Sequence, residues 1–313
     1  MIVIQNEDIV VALNELLGGE ISQVSYGGIK LLASYDWASP VGRSRSSTYG
    51  SEKLDWLSDY RGGWQLLIPN AGAACEVNGT PLPFHGEWSR TQVEVVEHTS
   101  DRVVMTSGTR LPLTVTREVQ VVSTPPRVLI STSVHNATDE SANFIWGEHP
   151  AFTVENGDAI DLPTANLANS DGTPIGLWPR HMNGGRLDLV TTEHPYEAVH
   201  YLTDLPNGWA ALRRSKIGIA LAWDAADFPH AWVWHEIGSS GFPFYGRASL
   251  VAIEPSSSWP GTGLATAIER GQAFELSPDE RKSTTVALIP FPPTSRPLTG
   301  ASVSGHLTFG DTQ

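Results

Sequence analysis

The chain is cut into short pieces. Twenty-nine glycines and 22 prolines separate runs rich in β-branched residues, and hardly any segment keeps helical apolar spacing for more than two turns, so the pattern encodes strands rather than a helical core. Candidate strands lie at 2–4, 9–13, 19–26, 91–98, 102–107, 113–122, 127–136, 216–223, 248–254 and 284–290, with turn-formers such as Asn78-Gly79 and Pro125-Pro126 between them. Many alternate apolar and polar residues, as half-buried antiparallel strands do. The expected fold class is all-β. No fixed-period repeat, low-complexity tract or linker-like stretch marks a boundary, so residues 1–313 are expected to form one domain. The polar stretch 37–59, serine-rich at its centre, is expected to be a long loop, either a lid or rim or an insertion without function.

Composition narrows the partners. The 313 residues are 40% hydrophobic and 17% charged, which is enough to bury a core and too apolar for wholesale disorder. A formal charge of −14 repels a phosphate backbone and an anionic lipid surface alike, so neither nucleic acid nor a membrane is expected as a partner. The first residues lack a basic stretch followed by an apolar segment, and no run of about 18 apolar residues occurs. A soluble, cytoplasmic protein is the expectation. Cys75 is the only cysteine, so no intrachain disulfide is possible, and it reads as a small buried hydrophobe.

Three segments mix glycine or proline with aromatics and ionisable groups: 60–72 together with 82–90, then 146–152, then 242–263. Glycine lets a backbone approach a ligand, aromatic faces stack on the apolar face of a sugar ring, and ionisable groups move protons. That combination suits a carbohydrate cleft. Trp232 and Trp234 alternate, so on a strand they share one face while Val233 and His235 share the other.

In these segments the sequence resembles the aldose 1-epimerase (galactose mutarotase) superfamily. The resemblance is carried, in order, by Gly18-Gly19-Glu20-Ile21, Arg61-Gly62-Gly63 through Pro69, His85-Gly86, His149 in EHPAF, and Ala252-Ile253-Glu254-Pro255. It implies a large antiparallel β-sandwich, a supersandwich, with the sugar site on its concave face. It also implies an isomerase in which His149 is the general acid on the ring oxygen and Glu254 the general base on the anomeric hydroxyl. Arg61 and His85 match positions that contact sugar hydroxyls, and Trp234 is the stacking candidate. Arg61 could equally be a turn residue, His85-Gly86 an ordinary turn, and Trp234 mere packing. Arg90 follows His85 by five residues where the hexose-phosphate branch has four, which weakens the case for a phosphorylated substrate.

The chemistry suits such a pair. Opening a cyclic hemiacetal removes a proton from O1 while delivering one to O5, a task for two groups. No metal, nucleotide or other cofactor is needed, and no P-loop, GxGxxG fingerprint or HExxH helix is present. The expected partner is a free, unphosphorylated aldose. The alternatives are a noncatalytic carbohydrate-binding or regulatory relative, a hexose-6-phosphate 1-epimerase, and a metal-dependent isomerase using His85, Glu148, His149 and Glu254. The favoured reading requires His149 and Glu254 to meet across a shared hollow, about one pyranose apart.

Overall fold

The computed structural model describes residues 1–36 and 49–311. The apolar–polar alternation resolves into two large antiparallel sheets, of twelve and eight strands. In the larger sheet, Trp64–Leu67, Gly147–Thr153, Ser249–Ser256, His230–Ile237, Tyr196–Thr203 and Asn166–Ala168 lie side by side in that order. The smaller sheet is centred on Leu113–Ser123, Pro126–Asn136 and Arg281–Phe291. Each of the ten expected strands coincides with an observed strand to within a few residues. No helix among the described residues is long and apolar enough to cross a membrane.

Between the sheets lies one continuous core, to which Trp64, Phe152, Val233, Val251 and Ile253 contribute from the larger sheet and Val115, Val119, Ile130 and Val286 from the smaller. Period-two alternation turns every second residue of the larger sheet the other way. There Trp232, Trp234, Ala252 and Leu250 form a second apolar cluster with Trp56, Leu57 and Tyr60. The helix α1, Glu52–Asp59, covers that face. Thus the expected loop at 37–59 is in part a helix, while residues 37–48 lie outside the described residues.

Helix α1 has a local cause. Ser51 is its N-cap, its hydroxyl accepting the Leu54 N–H, and Glu52 and Asp55 place negative charge in the first turn. Trp56 and Leu57 then bury one face.

One ion pair spans the core. Arg117, on the smaller sheet, donates two hydrogen bonds of 2.8 Å to the carboxylate of Glu148 on the larger one, and both side chains are 1% exposed. Trp64 Nε1–H donates to the same carboxylate at 2.6 Å and Arg117 also reaches Thr132. Removing one partner of a buried pair strands the other charge, at a cost of about 3–5 kcal/mol. Arg117→Leu is therefore expected to lose about that much in urea denaturation. Adding Glu148→Gln, which discharges the site and keeps an acceptor for Trp64, should recover part of the loss. Equal losses in the single and double variants would show that an uncompensated charge is not what destabilises the fold.

Candidate active site

Glu148 and His149 are adjacent, so alternation sends one side chain into the inter-sheet core and the other to the opposite face. The Gly147–Thr153 strand pairs with Ser249–Ser256 through Gly147–Ser256 and Ala151–Ala252, which brings His149 beside Glu254. His149 Nε2 lies 3.5 Å from Glu254 Oε1. The two groups are therefore neighbours, closer than the one-pyranose separation expected.

Both side chains are buried, 3% and 4% exposed. His149 Nδ1 and Glu254 Oε2 make no hydrogen bond, which leaves one unsatisfied polar atom on each. Burial holds the His149 imidazole down to about 4, and burial pushes the Glu254 carboxyl well above its ordinary range. Loss of water disfavours the charged form of each, so imidazolium and carboxylate are both penalised.

The pair opens onto a cavity of about 540 Å³. Trp56, Trp232 and Trp234 line it together with His85, Phe84, Lys53, Glu197, Val199 and Tyr201. The Trp56 ring stands 5.4 Å from that of His149 and 4.7 Å from that of His85. Register explains the floor: Trp232 pairs with Glu254 on one side and Tyr201 on the other. Glu52 accepts the Phe84 N–H at 2.9 Å, tying α1 to the loop that carries His85.

His85 is held by the backbone of Gly72. Its N–H donates to the Gly72 carbonyl and its Nδ1 accepts the Gly72 N–H at 3.1 Å, which leaves the ring proton on Nε2. His85 has a φ of 60° and Gly86 one of 71°. A side chain at Gly86 would fall 2.3 Å from the Ile68 carbonyl oxygen, so the close approach requires glycine. Burial, then the neighbouring His149 and Lys53, hold the His85 imidazole well below its ordinary range.

Of the five site residues read from the sequence, His149, Glu254, His85 and Trp234 line this one cavity. Arg61 does not: its guanidinium donates to the carbonyls of Ser58 and Tyr60. Those carbonyls are among the unpaired acceptors at the C-terminal end of α1, which has no basic residue in its last turn. Arg90 is likewise not among the lining residues. The metal reading fails at Glu148, which faces Arg117 on the other side of the sheet. Among the described residues no group of three or more His, Cys, Asp or Glu is placed to hold a metal ion. His235 faces away from the cavity and Glu236 binds Ser239. Trp56, Lys53, Glu197 and Tyr201 were not singled out from sequence; Ser51 followed by acidic residues and Leu54, Trp56 and Leu57 was the available signal for the first two.

Comparison with known proteins follows the same outline. The Slr1438 protein from Synechocystis sp. PCC 6803 superposes with a TM-score of 0.68 at 15% identity, over 91% of this chain and 93% of that one. A galactose mutarotase related enzyme from Lactobacillus acidophilus gives 0.64 at 16%, over 92% and 96%. A galactose mutarotase-like protein from Lactobacillus casei ATCC 334 gives 0.59 at 18%, over 92% and 99%. At these identities the likeness is one of fold, and the chain has the galactose mutarotase-like β-sandwich expected from its sequence. No curated protein matches it. Residues 18–289 match the family described as "Domain of unknown function (DUF4432)", and the chain belongs to that family.

Proposed function

We propose that the chain, acting as one domain, is a cofactor-independent aldose 1-epimerase that interconverts the anomers of a free sugar. The observation that carries this reading is the buried His149–Glu254 couple, 3.5 Å apart at the floor of a tryptophan-walled cavity. Tryptophan faces receive the C–H face of a pyranose. Lys53 is the one Lys or Arg among the described lining residues and it sits 3.9 Å from Glu197, so the cavity offers a phosphate little compensation for lost water. That favours an unphosphorylated substrate.

The couple needs only one proton to exchange. Imidazolium with carboxylate, and imidazole with carboxylic acid, hold the same number of protons, and burial favours the uncharged arrangement. In that arrangement Glu254 delivers a proton to O5 while His149 takes the one on O1, the reverse of the roles implied by the resemblance. The C1–O5 bond breaks as the C1–O1 double bond forms. Rotation about C1–C2 then presents the other face, and closure returns each proton. His85, with its proton fixed on Nε2, is placed to donate to a sugar oxygen.

Three outcomes are expected. Glu254→Gln and His149→Asn should each lower kcat for mutarotation by about 10²–10⁴-fold with binding changed only a few-fold, as followed by polarimetry; an active Gln variant would remove Glu254 from the mechanism. The infrared spectrum at neutral pH should carry a protonated-carboxyl band that vanishes in Glu254→Gln, and its absence from the native protein would restore the carboxylate as the resting base.

Stability should follow pH with opposite signs for the two groups. His149 falls from 6.5 to about 4 on folding, so its neutral-state contribution is full above about 6.5 and is lost as pH drops toward 4. Glu254 rises above 4.5, so its contribution is full below 4.5 and is lost as pH climbs through the folded value. Thermal melts should therefore show Glu254→Gln gaining on the native protein as pH increases and His149→Asn gaining as it decreases.

A further inference from the structure

We propose that Gln65 is a positioning residue for the acid–base pair: its amide oxygen accepts a hydrogen bond from His149 Nδ1–H, directly or through one water, and fixes the imidazole as the tautomer with a bare Nε2. The catalytic consequence rests on the epimerase reading and deepens it; the tautomer itself is a property of the folded chain.

The two ring nitrogens of His149 have different surroundings. Nε2 lies 3.5 Å from Glu254 Oε1, whereas Nδ1 is closed off from solvent and makes no hydrogen bond. Only Nε2 can meet a sugar, and it can take the O1 proton only if it carries none. A neutral imidazole then bears its proton on Nδ1, where that proton needs an acceptor.

The neighbouring strand supplies one. Gln65, on the Trp64–Leu67 strand, is the register partner of His149, so the two side chains leave the same face of the sheet with Cβ atoms about 5 Å apart. The strand bearing Glu254 flanks His149 on the other side. Gln65 is 6% exposed, and its Oε1, like His149 Nδ1, is buried without a hydrogen bond. An orphaned acceptor and an orphaned donor on directly opposed side chains complement each other. Gln65 is not among the lining residues of the cavity, so it acts on the reaction through His149.

The amide is held in one orientation. Its Nε2 donates to the Glu20 carboxylate at 3.0 Å and to the Gly62 carbonyl at 2.7 Å, so exchanging oxygen and nitrogen would set the oxygen against two acceptors. A side chain at Gly63 would fall 2.8 Å from the same Glu20 oxygen, and glycine there leaves the carboxylate its place. The segments 18–21 and 61–63, which contribute nothing to the described cavity lining, thus meet on the amide beside His149.

The test is nitrogen NMR of protein with isotope-labelled histidines at neutral pH, the His149 signals being assigned by their loss in His149→Asn. The native spectrum should show a neutral imidazole protonated on Nδ1; a proton on Nε2 would overturn the proposal, and this measurement needs no Gln65 variant to fold. In Gln65→Met, which keeps the length of the side chain and removes the acceptor, the signals should move toward a mixture of tautomers. There kcat for mutarotation should fall by about 10–100-fold with KM changed only a few-fold. An unchanged spectrum in the folded variant would give the Nδ1 proton to another acceptor, such as the residue's own carbonyl, which also acts on the ring, and would overturn the role of Gln65. An altered spectrum with unchanged kcat would overturn it equally. If the native protein epimerises no sugar, the epimerase reading falls, and the two spectra still decide where the proton sits and whether Gln65 holds it.

Discussion

The buried bond between Arg117 and Glu148 sets the site, although neither residue touches the cavity. Arg117 reaches across the core from the smaller sheet and holds the Glu148 carboxylate with two parallel donors, while Trp64 donates to it from the adjacent strand. A bidentate contact of this kind fixes both direction and register. Because side chains alternate along a strand, fixing Glu148 inward fixes His149 outward. A slip of one residue would bury the imidazole between the sheets and bring a carboxylate into the cavity. The charge pair therefore gives the His149 strand one register at a desolvation cost that two apolar residues would not incur.

Much of this fold was legible as period-two alternation. The strands at 113–122 and 127–136 are recovered as Leu113–Ser123 and Pro126–Asn136, because each buries every second side chain. The site was less legible, for a physical reason: its parts come from strands distant in sequence, and what unites them is sheet order. The tripeptide Glu-His-Pro occurs twice, and at 148–150 all three residues are buried while at 193–195 all three are exposed. The tripeptide is identical, but 148–150 lie inside the Gly147–Thr153 strand between two partner strands, while 193–195 precede the Tyr196–Thr203 strand and belong to none. Family likeness, not spacing, separated the two.

Arg61 shows the converse. It was read as a sugar contact from its place in the order of motifs, yet its guanidinium donates to carbonyls at the end of α1. Gly62, next to it, has a φ of 83° and no room for a side chain against the Ala33 carbonyl. This motif thus turns the chain out of the helix and into the Trp64–Leu67 strand. Helix α1 itself was hidden because its polar residues face outward and only Trp56 and Leu57 are buried, an apolar stripe too short to outweigh the serine-rich stretch before it.

Burial acts on ligand and catalyst together. The tryptophan walls that suit a sugar's C–H face also strip water from His149 and Glu254, and the same loss of water that favours stacking drives both groups toward their neutral forms. On the proposed epimerase reading, a neutral couple matches a neutral substrate: neither partner needs a counter-ion, and a proton moved from one to the other would separate charge only while the sugar ring is open. A charged sugar would have to be desolvated against walls that offer, among the described lining residues, Lys53 as the one Lys or Arg, already beside Glu197. On the proposed reading, a poor welcome for phosphate and the neutral state of the pair have one cause, the apolar face that the larger sheet turns toward α1.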